Sequence, residues 1–264
     1  MAKITTGKVL IKKFFLYFLL FYMFNEESNI FQNKIKYTNF KINDYANNVI
    51  SGKRKIENKE NEVIVIATGK KGEEIKILDT LFKYPPSKVF INESKENLGQ
   101  VMKVNLTQDG ENEITIIWDN PIQDCECMFC ECECLISIDM SKFDSSLITS
   151  MEGMFFGCSN VSSIDLTNFN TSSVIHMNSC FENCYKLQNI NVSIFDTISN
   201  QDLSRMFYDC SSLTSLDVSN FDTSLVTMMD GMFYNCHSLT SLDVSNLILL
   251  QLDHFMECLI IVIL

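Results

Sequence analysis

Basic residues are scarce in this chain: 21 Lys and Arg face 33 Asp and Glu over 264 positions, a net charge of −12 with a pI near 4.7. Such a charge repels a phosphate backbone, so nucleic acid is not expected as a partner. Histidine is scarcer still, with three residues. His176 and His237 fall in different repeats, and no nucleophile, base and acid can be grouped from the text. A glycine-rich cofactor loop is also missing. ATGKKG at 67–72 lacks the glycine spacing of a phosphate loop and no helix pattern follows it, so it reads as a hairpin turn. These absences lead to the expectation of a non-enzymatic protein without a cofactor.

An apolar run of membrane-spanning length is wanting near the N-terminus. FFLYFLLFYMF, Phe14 to Phe24, has eleven residues, which as a helix rise roughly 17 Å against about 30 Å of hydrocarbon. Lys3, Lys8, Lys12 and Lys13 precede it and acidic NEES follows, the layout of a secretory signal. No small-residue cleavage site comes next, which leaves an uncleaved signal anchor as the alternative for 1–24. The chain is therefore expected to be secreted or at the cell surface, with membrane association through this segment. An intracellular interaction scaffold is the competing reading. In a eukaryotic secretory pathway the N-x-S/T triplets at Asn92, Asn105 and Asn160, and also at Asn170 and Asn191, become candidate glycosylation sites.

What the chain does have is 46% apolar residues, enough for a core, and a repeat. After an Asn/Lys-rich spacer at 25–61, residues 62–122 carry EVIVIAT, EEIKIL, KVFIN, KVNLT and EITIIWD, strand-like runs of a small β module, with the first two flanking GKKG as a hairpin. From Met128 the phrases MFCEC, MFFGC, CFENC, MFYDC and MFYNC recur at steps of 26 residues. LISIDMSKF, VSSIDLTNF, LQNINVSIF, LTSLDVSNF and LTSLDVSNL alternate with them at the same step. In the fourth unit Leu216 and Val218 share one face of a strand, and Asp222-Thr223-Ser224 reads as a helix cap. Val226, Met229, Met232 and Phe233 then mark the buried stripe of a helix. One such unit is too small to be stable alone, so neighbours must stack and build columns: Phe129, Phe155, Phe181, Phe207 and Phe233 form one, and Phe143, Phe169, Phe195 and Phe221 another. Asn200 interrupts the column of Ile148, Val174 and Val226, which predicts a local defect.

The pattern MFxxCxxLxSIDLSxFDTSxVTxM resembles the BspA-like leucine-rich-repeat surface proteins of bacteria and protists over residues 125–247. The resemblance implies an α/β leucine-rich-repeat solenoid of parallel short strands across 123–246, capped by the β module. It also implies adhesion or partner recognition without enzymatic activity. The ligand, a protein or a glycan, is expected on the polar strand side. There Asp139, Asp165, Asn191, Asp217 and Asp243 form one column, and Ser163, Ser215 and Ser219 stand in the columns beside it.

With the repeat in frame, CECMFCECEC (125–134) is a first unit rich in thiols. Cys132 begins the column Cys158, Cys184, Cys210 and Cys236, small buried hydrophobes. Cys127, Cys130 and Cys134 would share one helical face and offer three thiolates to zinc; buried thiols or disulfides are the favoured alternative. The tail LILLQLDHFMECLIIVIL (247–264) interrupts its apolar text with Gln251, Asp253, His254 and Glu257. Codons can be chosen for it which, read after dropping two bases, spell DTSSVRSFYGMFDNCYS. The tail thus reads as a frameshifted remnant of a sixth repeat, in which His254 and Cys258 carry no functional weight; if the shift is in the gene, the alternative is a truncated, non-functional copy.

Overall fold

The computed structural model describes residues 61–245 and 247, and every described element is β or turn. The readings of 1–24 as a signal, of nearly all of the spacer 25–61, and of 248–264 as a frameshifted repeat lie outside the described residues. No helix among the described residues is long and apolar enough to cross a membrane.

Seven strands form: β1 (Asn61–Gly69), β2 (Glu74–Lys76), β3 (Lys88–Ile91), β4 (Lys103–Asn105), β5 (Gly110–Trp118), β6 (Leu135–Asp139) and β7 (Ser163–Asp165). The alternation in NEVIVIATG buries Val63, Val65 and Ala67 completely and makes β1 the centre of a five-stranded sheet in the order β3-β5-β1-β6-β7. β1 runs antiparallel to β5 from Asn61 opposite Trp118 to Gly69 opposite Gly110, and antiparallel to β6 with a register shift between Ile66 and Ala67. The hairpin expected across GKKG does not form. β2 pairs with β4 instead, because Gly72 turns the chain at φ 85° and its amide bonds to Leu106 O.

The α/β leucine-rich-repeat solenoid is overturned: the described chain is all-β. The segment read as a helix in each repeat is a run of tight turns. Two residues per repeat, four apart, lie in the left-handed region: Cys127, Gly153, Ser179, Arg205 and Gly231 at φ 54–64°, and Glu131, Gly157, Asn183, Asp209 and Asn235 at φ 53–68°. A right-handed helix cannot pass such residues. They point the amides at the neighbouring rung rather than at the residue four back. Phe129 N bonds to Met154 O (2.8 Å), Phe155 N to Cys180 O (2.9 Å), Phe181 N to Met206 O (2.9 Å) and Phe207 N to Met232 O (2.9 Å). The alternate residues on either side, such as Cys127 to Glu152 and Glu131 to Phe156, do the same at each of these four junctions. Asp222-Thr223-Ser224 caps no helix. The Asp222 carboxylate accepts the Ser224 amide two residues on, and Thr223 is fully buried.

Side chains repeat the same step. The Phe129, Phe155, Phe181, Phe207 and Phe233 rings stack at 5.3–5.9 Å with planes within 8°. Cys158, Cys184, Cys210 and Cys236 each donate their thiol to the carbonyl of the preceding rung's Phe at 3.1–3.3 Å. Buried hydroxyls clamp the next corner: Thr171 Oγ1 bonds to Asp196 O and Thr197 Oγ1 to Asp222 O. At the near end the β module supplies what a preceding rung would. Asp79 N donates to Met128 O, the position at which later rungs receive Phe129 N and its counterparts, and Trp118 sets its ring edge-on against Phe143 at 6.0 Å.

Five parallel strands were expected on the opposite side of the rungs, and two form. β6 and β7 pair in register, Ser137 with Ser163 and Asp139 with Asp165. From the third rung on, the equivalent residues 189–191, 215–217 and 241–243 make no ladder. Their apolar members are also less well covered: Ile190 and Leu216 keep 9% exposure where the Phe column keeps none.

Candidate functional site

The column expected to bind a ligand first shapes its own corner. Ser141 N donates to Asp139 Oδ1 (2.8 Å), Thr167 N to Asp165 Oδ1 (2.8 Å), Ser193 N to Asn191 Oδ1 (3.2 Å), Ser219 N to Asp217 Oδ1 (3.0 Å) and Ser245 N to Asp243 Oδ1 (2.9 Å). These are Asx turns, in which a short carboxylate or amide holds the backbone two residues on. Ser219 is thus a turn partner of Asp217. Its hydroxyl and then its amide hold the Asp217 carboxyl below the usual range, and the Ser245 amide and hydroxyl do the same for Asp243. The D-x-S/T spacing, with Asn191 in place of Asp in the third unit, is the signal that could have revealed this role.

Where the ladder stops, the strand side opens into a groove of about 490 Å³ that crosses rungs two to five. Ser163, Asn189, Asn191, Ser215, Asp217 and Ser241 rim it, over a floor of Ile164, Ile190 and Leu216. Asn189 Oδ1 receives the Thr214 and Ser215 hydroxyls at 3.2 and 3.4 Å, tying the third rung to the fourth by side chains. Asp139 and Asp165 lie apart from this groove, in a smaller hollow of about 280 Å³ between β6 and β7. Asp243 lines neither. Of the expected site, then, Ser163, Asn191, Ser215 and Asp217 come together; Asn189 and Ser241 stand in the same exposed column as Ser163 and Ser215, and what sequence reasoning missed is the apolar floor. Hydroxyls and amides there can both donate and accept hydrogen bonds, and Asp217 adds the rim's one carboxylate.

The candidate glycosylation sites differ in what holds them. Asn105 is exposed on β4. The Asn92 side chain is tied into the β module: its amide donates to Thr107 and Asn112 and its oxygen accepts the Glu113 amide. Asn160 Nδ2 bonds to Glu133 O at 2.8 Å. A glycan on either would have to displace those bonds. Asn170 and Asn191 are exposed and use their side-chain oxygens in Asx turns.

All ten described cysteines are free. The shared helical face of Cys127, Cys130 and Cys134 does not exist, since Cys127 and Glu131 turn left-handed between them. Among the described residues no group of three His, Cys, Asp or Glu is placed to hold a metal ion. Cys134 O instead receives Thr68 N beside β1, while Cys127 and Cys130 stay together. Burial pushes the column thiols up, Cys158 and Cys236 to about 12, which keeps them protonated as donors. Asn200, the predicted defect, is fully buried: its amide bonds to Val174 O at 2.9 Å and its Oδ1 meets no protein partner.

No curated protein and no solved structure matches this chain. Residues 123–247, the rungs without the β module, match the model of a family described as Mycoplasma protein of unknown function, DUF285.

Proposed function

We propose that this chain is a non-enzymatic recognition or adhesion protein, secreted or held at the cell surface, that binds a polar glycan or a protein segment along the strand side of its rungs. The groove of about 490 Å³ carries the reading: a rim of hydroxyls and amides above an isoleucine and leucine floor suits a ligand with polar edges and an apolar face. The resemblance of the repeat to surface proteins and the lysine-led apolar segment at 1–24 support the location. The net charge of −12 favours a neutral or basic partner over an anionic one.

Glycan-array binding by the purified chain, with surface biotinylation of intact cells, tests both halves. Asn189→Ala and Ser215→Ala are expected to lose binding. Asp217→Asn keeps the turn acceptor, as Asn191 does in the same column, and so isolates the contribution of charge. Binding unchanged by all three would end the groove reading, and a chain protected from the biotin reagent on intact cells would end the surface location.

A further inference from the structure

Outside the regular column, Cys127 and Cys130 stand side by side with their thiols hydrogen-bonded to each other. Cys130 N bonds back to Cys127 O at 3.2 Å, closing a turn that brings residues i and i+3 within the Cα range a disulfide spans. Both sulfurs lie over Gly153 of the next rung: a Cβ built there would sit 3.5 Å from Cys127 Sγ and 3.6 Å from Cys130 Sγ. Such distances are ordinary van der Waals contact, so the two sulfurs pack together directly over the Gly153 backbone. They face a cavity of about 310 Å³, also lined by Asp79, Leu81, Glu131 and Glu152. Leu81 at its mouth is 71% exposed, although it is large and apolar. Cys130 is buried and bonded to Gly153 O much as the column cysteines are to their carbonyls, but Cys127 is partly exposed.

We propose that Cys127 and Cys130 form a reversible intramolecular disulfide, made by exchange with a low-molecular-weight disulfide entering this cavity. Cys127 is the more exposed sulfur and reacts first. Its thiolate attacks one sulfur of the incoming disulfide, the S–S bond breaks, and the released thiolate takes a proton from solvent. Cys130, whose thiol lies 3.1 Å from Gly153 O, then loses its proton to solvent and attacks Cys127 Sγ. The second small thiol leaves, so two protein thiols are oxidised as one disulfide is reduced to two thiols. Burial of the sulfurs, and after it the nearby carboxylates, of which Asp79 acts on both, hold the thiols protonated, so exchange is slow at neutral pH and quickens as pH rises.

The test exposes the folded full-length chain to oxidised glutathione, then unfolds it, alkylates the remaining thiols and maps peptides by mass spectrometry. The expected result is one dithiothreitol-reversible link between Cys127 and Cys130, with the other cysteines alkylated. In Cys130→Ser, glutathione should stay on Cys127 as the main species; in Cys127→Ser, Cys130 should carry none. Linkage of Cys127 to Cys125 or Cys134 instead, or full alkylation of both in the wild-type chain, overturns the proposal without reference to how any variant folds.

Discussion

The two sides of each rung are built from the same 26-residue text but bonded differently. On the turn side, left-handed corners aim alternate amides at the next rung: four backbone bonds run forward across each of the four junctions between Cys125 and Tyr234, and one more runs back, such as Ile175 N to Thr149 O. On the strand side a ladder joins β6 to β7 and then ends, leaving one backbone bond, Thr214 N to Gln188 O, and side-chain bonds such as those from Thr214 and Ser215 to Asn189 to join the third and fourth rungs. Regular sequence therefore does not impose equal cohesion. The rungs are fastened along one side and open along the other, and the open side is where the groove lies.

The contrast breaks most strongly at the Phe stack. Phe181→Ala removes the middle ring and is expected to cost about 3–5 kcal/mol, against roughly 2 kcal/mol for Ile190→Ala on the open side. Urea denaturation of the two variants measures the gap, and equal losses would mean that both sides are equally packed. A stabilising change is expected next, at Asn200, whose buried Oδ1 lacks a protein partner. Asn200→Val restores the residue type of Val174 and Val226 and should gain about 1–3 kcal/mol by removing that desolvated oxygen, less whatever its bond to Val174 O contributes. A lower thermal midpoint would show that the bond outweighs the orphan atom.

Corner residues come third. Gly157 has φ 68°, and an added Cβ would approach Glu131 Cγ at 3.2 Å, so Gly157→Ala should cost about 1–2 kcal/mol from the left-handed strain alone. Asn235→Gly, at φ 59°, relieves the corner but gives up the bond from Asn235 Nδ2 to Asp209 Oδ1, so it should be close to neutral. The smallest effect concerns acid. Asp217 and Asp243 titrate below their unfolded value of about 3.9 because their turn bonds favour the carboxylate. Their stabilisation is thus present above that value and lost as pH falls through the lower folded pKa. Amide exchange followed from pH 5 down to pH 2 and divided by its intrinsic rate at each pH should lose protection at Ser219 and Ser245 before the turn-side amides of Phe181 and Phe207.

Much of this was legible beforehand. The period and the Phe columns stand in the text because a stacked array must repeat its core, and the five runs of the β module each hold a strand. The helix was misread for a definite reason. Successive i to i+3 turns place apolar residues such as Val226, Met229 and Met232 at the spacing that marks an amphipathic helix, and periodicity alone cannot separate the two. The discriminating letters were present in Gly153, Gly157, Asn183, Asp209, Gly231 and Asn235, columns of residue types that tolerate left-handed backbone. The hydroxyls and amides of the groove were readable as exposed strand positions. Its opening was not, because that depends on where a backbone ladder ends, and no residue type at 189–191 announces it. Cys134 was grouped with Cys127 and Cys130 by helical arithmetic that a single turned residue undoes.

β1 is paired on both edges, with β5 behind it and β6 ahead. Because it precedes the rungs in the chain and Asp79 fills the place of a missing rung, the module that leaves the ribosome before any rung is also the template on which the first rung can dock. Each later rung then emerges to find a finished neighbour. The direction of synthesis and the direction of stacking coincide, so a growing chain need never hold more than one unfinished rung at a time.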